Sequence, residues 1–380
     1  MPVSVTLLSI PTPRIYIDRA RVQRNITAMT AVASRAGVRL RPHAKTHKSP
    51  IIARWQLDAG AAGVCCAKLG EAEVFADAGI PDIRLPYPVH FSNADRVVSL
   101  LDRTKLSIIV DDEGVARGWS DAMTKAGKTL DVLAKIDVGF HRCGFDPGRL
   151  GIVETLRSIA SLPGLNFRGL LSHAGHSYLA GSDEEIAHIA ETEIGILGGI
   201  AAALRASGVT VDEISVGSTP SARFISKQAG VTEMRPGNYV FCDRTQVGLG
   251  SATFDTCALW AVATVVSRPS RDRVILDCGA KTLTNDGARG FGSRDGYGLV
   301  FSTLTGTTPD PALTIERLSE EHATVAVRGE CALKIGDRVK VLPNHSCVVT
   351  NLVDELLVTG GANGLDVIDR IPVAARGRIW

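Results

Sequence analysis

Residues 168–216 read RGLLSHAGHSYLAGSDEEIAHIAETEIGILGGIAAALRASGVTVDEISV. Arg168–His173 is a short apolar run, Ser182–Ala206 has helical periodicity, and Val211–Val216 is apolar and β-branched again. Ser182 is a natural N-cap, and Asp183, Glu184 and Glu185 place negative charge in the first turn, where the helix dipole favours it. Strand, helix and strand at this spacing form a βαβ unit, whose two strands lie parallel.

The same alternation extends in both directions. Further candidate strands are Val38–Pro42, Gly63–Ala67, Asp82–Leu85, Leu106–Val110, Leu130–Asp137 and Val231–Arg235. Between them lie helical stretches near Val22–Ala36, Ile51–Ala59, Glu71–Ala78, Ser92–Asp102, Glu113–Ala126, Gly148–Ile159 and Ser221–Gln228. Eight strands with eight helices predict an α/β fold in which residues 21–244 close a (β/α)8 barrel. After about residue 245 the texture changes. Leu259–Ser267, Arg273–Asp277, Thr324–Val327, Arg338–Val341 and Glu355–Val358 are short alternating segments set apart by Gly, Pro, Asn and Asp. They predict a mostly antiparallel β domain over residues 245–380, joined by residues 1–20 through Arg14–Ile17 and therefore discontinuous.

The bulk properties narrow the function classes. With 42 basic and 40 acidic residues scattered in both signs, no electrostatic field is aimed at nucleic acid or an anionic membrane. The opening MPVSVTLLSIPTP lacks a basic start and is broken by Pro11 and Pro13, unlike a signal peptide. The apolar stretch near Ala258–Val266 is far shorter than a membrane-spanning helix. These features predict a soluble cytoplasmic protein. The eight cysteines, with Cys65 and Cys66 adjacent and no C-x-x-C pair, read as reduced core residues; Cys347 stands apart.

In barrels of this kind the chemistry sits at the C-terminal ends of the strands. The first strand runs out into Arg41-Pro42-His43-Ala44-Lys45-Thr46-His47-Lys48. A lysine in the mouth, desolvated and beside Arg41, suits imine chemistry, although by itself such a lysine is most often simply solvated. The segment resembles the cofactor-lysine motif R-P-H-x-K-T of the D-threonine aldolase and D-serine dehydratase family, a branch of the alanine-racemase-like, fold type III pyridoxal 5′-phosphate (PLP) enzymes. The resemblance continues through Gly63–Lys68, Arg142-Cys143-Gly144, Ser215–Pro220, Arg235–Tyr239, Leu276–Lys281, Glu321-His322 and Pro343–Cys347, over almost the whole chain.

What the resemblance implies is specific. Lys45 carries PLP, and Ser218, Thr219, Gly237, Asn238 and Tyr239, on the loops after strands seven and eight, hold its phosphate, the first of these loops opening into a helix. Arg235 faces the pyridine nitrogen, where a guanidinium cannot surrender its proton, and Arg142 lies near the 3-hydroxyl. His173 either packs on the ring face or is a core histidine bonded to backbone. In the β domain His345 and Cys347, two apart on an extended segment, face one side and bind a divalent metal. Nitrogen with sulfur favours Zn²⁺, with Mn²⁺ or Mg²⁺ as alternatives.

The family pattern implies two reactions on D-β-hydroxy-α-amino acids. H-x-C resembles the D-serine and D-threo-3-hydroxyaspartate dehydratases, as do Ser215–Pro220 and His173–Tyr178, whereas the best-known D-threonine aldolases carry H-x-D. Thr350–Glu355 and Ala374–Arg378 resemble the aldolases. The balance goes to the aldolase, with Lys45, His345 and His322, or a water on the metal, as the groups that move protons. A non-catalytic PLP-homeostasis protein is a different class; such proteins are a lone barrel, and the β domain argues against it. A metal-free racemase or decarboxylase is a further alternative. The resemblance also implies a homodimer.

Overall fold

The computed structural model describes residues 5–226, 230–293 and 295–380. Strand β1 (Arg14–Asp18) opens the chain, and Asp18 then caps helix α1 (Arg19–Ala36), its carboxylate accepting the Arg21 N–H at 3.0 Å. Eight parallel strands follow: β2 (Arg39–Leu40), β3 (Val64–Cys65), β4 (Asp82–Pro88), β5 (Lys105–Val110), β6 (Leu130–Lys135), β7 (Leu165–Leu171), β8 (Glu213–Val216) and β9 (Glu233–Met234). They form one sheet in the order β2-β9-β8-β7-β6-β5-β4-β3. A parallel His43–Cys65 bridge, with the Ala62 N–H on the Leu40 carbonyl at 2.8 Å, joins the two ends, so the sheet curls into a barrel.

Helices α1, α2 (Pro50–Asp58), α3 (Leu69–Asp77), α4 (Ala94–Leu101), α5 (Glu113–Ala126), α6 (Ile152–Ala160) and α7 (Asp183–Ala206) alternate with the strands. Ser182 caps α7, its hydroxyl accepting the Glu185 N–H at 3.2 Å. Helix α7 is long and apolar enough to cross a membrane by length and composition, a property the sequence reading missed by looking at Ala258–Val266. Its apolar residues Ile186, Leu197, Ala201 and Leu204 are instead buried in the barrel's core. The helix expected at Ser221–Gln228 is corrected: Pro220–Phe224 makes a single 3₁₀ turn, and the end of the expected segment, from residue 227, lies outside the described residues.

The barrel interior holds an ion network where apolar layers are usual. Arg41, 2% exposed, reaches Glu233 at 2.8 Å and Asp82 at 2.6 Å, while Arg84 bonds Glu213 at 2.8 Å, Ser107 at 2.9 Å and also Glu233. This corrects the expectation for Arg41. Its charge is consumed by carboxylates inside the barrel and is not beside Lys45.

From β10 (Leu259–Ser270) onward the chain builds a second sheet with β11 (Arg273–Leu276), β12 (Leu299–Phe301), β13 (Leu313–Leu318), β14 (Ala323–Val327), β15 (Arg338–Leu342), β16 (Glu355–Gly360) and β17 (Asp366–Pro372). Its pairs are antiparallel except one: β1 enters between β10, antiparallel, and β16, parallel, which makes the unit discontinuous in sequence. A hydrophobic cluster including Ile17, Ile26, Ile52, Val265 and Val358 runs from this sheet onto helices α1 and α2, so the two units share apolar surface.

Candidate active site

A cavity of about 470 Å³ opens at the C-terminal ends of the barrel strands, and the β region contributes Asp286, Arg289, His345 and Cys347 to its wall. Lys45 enters it from a 3₁₀ turn, Ala44–Thr46, directly after β2. Pro42 keeps the preceding backbone extended, the His43 N–H is held by the Pro236 carbonyl at 3.0 Å, and the His43 ring accepts the Lys45 N–H at 3.4 Å. The lysine is half-buried, and its ammonium has no partner among the described residues.

Ser218 and Thr219 follow β8, and Gly237 and Asn238 follow β9; all four line the cavity. Ser218 shares its hydroxyl with Ser177 and Ser221, each at 2.9 Å. The main-chain N–H groups of Thr219, Gly237 and Asn238 have no acceptor among the described residues. Gly237 is packed so closely that a Cβ there would meet the His43 carbonyl and Cβ at 3.0 Å. Tyr239 requires a correction. Its ring is buried in the core shared with the β region and its hydroxyl accepts from the Gln56 amide at 3.0 Å, because it sits within a 3₁₀ turn, Asn238–Val240, that points it away from the cavity. It contributes only its main-chain N–H, on Thr219 Oγ1 at 3.3 Å.

The cavity is rich in cations. Arg235, 5% exposed, donates to Ser215 Oγ at 2.5 Å and to the Ser172 carbonyl. The Arg142 guanidinium lies 5.2 Å from the centre of the Phe140 ring. Phe140 also meets His173 edge-on at 6.0 Å. Burial, and then the charges of Lys135, Lys45, Arg142 and Arg235, hold His173 well below the usual histidine range; burial and Lys45 do the same to His43. Both rings are neutral at pH 7. The sequence reading missed Lys135, although a polar residue ending a barrel strand was a usable signal. It is 3% exposed, its Nζ has no hydrogen-bond partner among the described residues, and burial together with Arg235 pushes it down to about 7.

Between that value and the ordinary 10.5 the unfolded chain binds a proton that the folded protein does not, so Lys135 makes stability rise with pH above about 7. Lys135→Met removes the unpartnered amine and is expected to stabilise the cofactor-free protein at pH 7 by about 1–3 kcal/mol, with the gain shrinking toward pH 10. Thermal melts of both proteins across that range check it, and a gain independent of pH contradicts it.

Across the cavity His345 has extended backbone, but Ser346–Thr350 is a short helix, not the extended segment expected, because Asp243 captures the Ser346 N–H at 2.9 Å and turns the chain. His345 and Cys347 still meet through their side chains. Burial opposes charge on His345, yet Cys347, Asp243 and Asp286 outweigh it and hold it up at about 10. Cys347 is lowered, with burial again opposed by His345 and Lys45. Asp286 receives His345 Nδ1 at 2.6 Å, leaving Nε2 as the ring's other donor atom. Asp286 lies 59 positions from His345, and no sequence signal pointed to it. Cys347 Sγ also touches Thr46 Oγ1 at 3.2 Å, so the thiol sits against the residue that follows Lys45. No group of three or more His, Cys, Asp or Glu side chains suited to a metal occurs among the described residues.

His322 also requires a correction. It is exposed at the turn between β13 and β14, with its carbonyl accepting the Ser319 N–H at 3.0 Å, and is not part of the cavity. Tyr178, unassigned in the sequence reading, does line it; burial, with Cys347 and Asp243 nearby, pushes its phenol up and keeps it protonated.

A PLP molecule fits these residues. An unpartnered lysine amine, three unclaimed main-chain donors and a buried arginine converge on one cavity at the mouth of a barrel. Barrel, β domain and lysine together define an alanine-racemase-like, fold type III PLP enzyme. Residues 17–245 match the family of the alanine racemase N-terminal domain, and residues 258–359 match the putative serine dehydratase domain. The chain belongs to the D-threonine aldolase and D-serine dehydratase family of these enzymes. It is 35% identical to the D-threonine aldolase of Arthrobacter sp over 98% of this chain and 94% of that one. It is 34% identical to the D-threo-3-hydroxyaspartate dehydratase of Delftia sp. (strain HT23) over 90% of this chain and 92% of that one. The crystal structure of D-threonine aldolase from Filomicrobium marinum superposes with a TM-score of 0.88 at 31% identity, covering 100% and 99% of the two chains. Solved structures of D-threo-3-hydroxyaspartate dehydratase, at a TM-score of 0.89 and 31% identity over 97% of this chain, include a His-to-Ala variant and a metal-free Cys-to-Ala variant. The two substituted positions in that enzyme lie two apart.

Asp286→Asn keeps the shape of the His345 partner while removing its charge, and is expected to weaken divalent-metal affinity about 10- to 100-fold with cofactor absorbance unchanged. Metal titration by calorimetry checks it. Equal affinity in both proteins rules out the supporting role.

Proposed function

We propose that this chain is a PLP- and divalent-metal-dependent lyase of the D-threonine aldolase type, cleaving D-β-hydroxy-α-amino acids between Cα and Cβ to glycine and an aldehyde. The observation that carries the reading is the contact between Cys347 and Thr46, which puts a His–Cys pair and the cofactor lysine in one cavity. PLP supplies an electron sink for the bond broken at Cα, and a divalent ion supplies Lewis acidity at the β-hydroxyl. Lys45 Nζ is the attachment point and exchanges a proton with the substrate amine. Thr219, Gly237 and Asn238 offer main-chain donors to the phosphate, with the Ser218 hydroxyl beside them; Arg235 and Arg142 are the cationic partners of the ring. His345 Nε2 and Cys347 Sγ are the metal donors, and Asp286 fixes the histidine's orientation. A nitrogen and sulfur pair suits Zn²⁺, and two protein ligands leave coordination positions for substrate. His43 and His173 are held neutral by burial and the neighbouring cations, and Tyr178 retains its proton.

A second reading, D-serine or D-threo-3-hydroxyaspartate dehydratase, is favoured by one observation: His345 and Cys347 have the spacing of the two positions varied in the similar dehydratase. There Lys45 takes the Cα proton, hydroxide leaves from Cβ, and a keto acid and ammonia result. Purified protein given PLP with Zn²⁺ or Mn²⁺, then D-threonine and D-serine, separates them. Glycine with acetaldehyde from D-threonine supports the aldolase; ammonia and keto acid without glycine overturns it in favour of the dehydratase. Eight unpaired cysteines suit a cytoplasmic setting, and a homodimer is part of the same proposal.

A further inference from the structure

We propose that Lys135 is the partner of the cofactor's ring 3-oxygen, and that it draws a proton from solvent as PLP binds. The inference rests on the PLP site described above and on neither of the two lyase readings. Lys135 ends β6 and lines the cavity, yet it is 3% exposed and its Nζ has no hydrogen-bond partner among the described residues. A buried donor without an acceptor is a cost to the empty protein that an anionic ligand in the cavity removes. The surroundings supply no such acceptor. Arg142 and Cys143 follow Lys135 in the chain, Arg235 and His173 act on it from the ends of β9 and β7, and Glu193 and Asp111 are the acidic groups nearby. Glu193 takes the Ser172 hydroxyl at 2.5 Å and Asp111 the Gly144 N–H at 3.1 Å, and neither bonds the Lys135 amine.

Barrel order then selects the atom. Around the mouth the strands run β2, β9, β8, β7, β6, β5, β4, β3, and β3 returns to β2. Lys45 follows β2, and the unclaimed main-chain donors for a phosphate follow β8 and β9. On the pyridine ring the aldehyde-bearing carbon is flanked by the phosphate arm on one side and the 3-oxygen on the other. With the arm over β8 and β9, the oxygen's edge lies toward the arc from β3 to β6. There the cavity wall is made by Pro86, Lys135, Phe140 and Arg142. Arg142 is exposed, with its guanidinium 5.2 Å from the centre of the Phe140 ring, so water screens its charge. Lys135 is the arc's buried amine, where attraction to an anion is least screened.

Burial and then Arg235 push the amine of the empty site down to about 7, and an anionic oxygen beside it acts in the opposite direction. The lysine's contribution to cofactor affinity is therefore full below about pH 7 and declines as pH rises. Titration of the cofactor-free protein with PLP, read by visible absorbance and by the rise in melting temperature, gives dissociation constants for wild type and Lys135→Met. The variant is expected to bind PLP about 10- to 100-fold more weakly at pH 7 although its empty form melts higher, and Lys135→Arg recovers part of the loss. The affinity ratio of wild type to Lys135→Met is expected to fall between about pH 7 and pH 9. It is expected to approach one with 3-O-methylpyridoxal 5′-phosphate, whose ring oxygen carries no charge. Equal PLP affinity in the two proteins, or a ratio that the O-methyl cofactor leaves unchanged, overturns the assignment and leaves the cofactor site standing. A ratio constant across that pH range overturns the proton uptake. Visible absorbance lost in Lys135→Met and not recovered in Lys135→Arg marks Lys135 as the attachment point instead and likewise overturns the assignment. Wild type that gives no visible absorbance with PLP overturns the cofactor site itself.

Discussion

Lys45→Ala is expected to lower turnover of every D-β-hydroxy-α-amino acid by at least about 10³-fold and to abolish the borohydride-trappable absorbance of PLP-loaded protein. The size follows from the covalent role: the other amine on the segment after β2, that of Lys48, is tied to Glu71 at 3.0 Å, and positioning by the remaining donors cannot replace a bond. The cavity's other amine, on Lys135, makes the experiment discriminating. It ends β6, is buried, depressed to about 7 and without a partner among the described residues, so it is chemically capable of imine formation. Peptide mapping of the reduced wild-type adduct decides between the two: label on Lys45 is the expected result, and label on Lys135 removes the basis of the proposed site. Lys45→Arg preserves charge without imine chemistry and is expected to be equally inactive. The turn carrying residue 45 is pinned by the His43 to Pro236 bond at 3.0 Å, so circular dichroism of both variants should match wild type.

Cys347→Ala, or exhaustive chelation of the wild type, is expected to reduce turnover by about 10²- to 10³-fold while the cofactor's absorbance survives. The two outcomes divide because of where the thiol sits. Cys347 Sγ touches Thr46 and the Asn238 amide, at 3.2 and 3.6 Å, but neither of these contacts supports the Lys45 amine. Removing the sulfur is therefore expected to cost the proposed metal donor and to leave the cofactor's attachment intact. Restoration by added Zn²⁺ or Mn²⁺ in the chelated wild type, and little restoration in the variant, completes the pattern. Unchanged turnover after chelation, with metal absence verified by elemental analysis, eliminates the Lewis-acid role for this pair.

Most of the eight parallel strands were readable because they are apolar runs set between helical stretches, a pattern that burial on both faces of a barrel imposes; the two-residue strands β2 and β9 carry Arg39 and Glu233. The β region was less so. Strands β12, β13 and β17 escaped notice: β12 has three residues, and β13 and β17, Leu313–Leu318 and Asp366–Pro372, carry exposed charges that break the alternation. The helix expected after β8 failed for another reason. Pro220 suits a first turn of either kind, and nothing in the local pattern distinguishes one 3₁₀ turn from the start of an α-helix.

The chemically distinctive residues were legible one by one, and their grouping was not. The order of motifs around Lys45, Arg142, Ser218, Arg235 and Cys347 was enough to indicate the cofactor and the class of enzyme, because a barrel returns every strand end to the same mouth. Which neighbours join them depended on side-chain direction, which no spacing rule encodes. Tyr239 turns into the core and His322 to solvent, Arg41 is drawn inside by Glu233 and Asp82, and Asp286 arrives from a loop 59 positions before the histidine it holds. Periodicity and motif order are properties of the chain, so the sequence by itself determined the barrel, the β domain and the lysine. Convergence is a property of packing, so only the tertiary structure decided that Cys347 rests on Thr46 and that Lys135 is buried without a partner among the described residues.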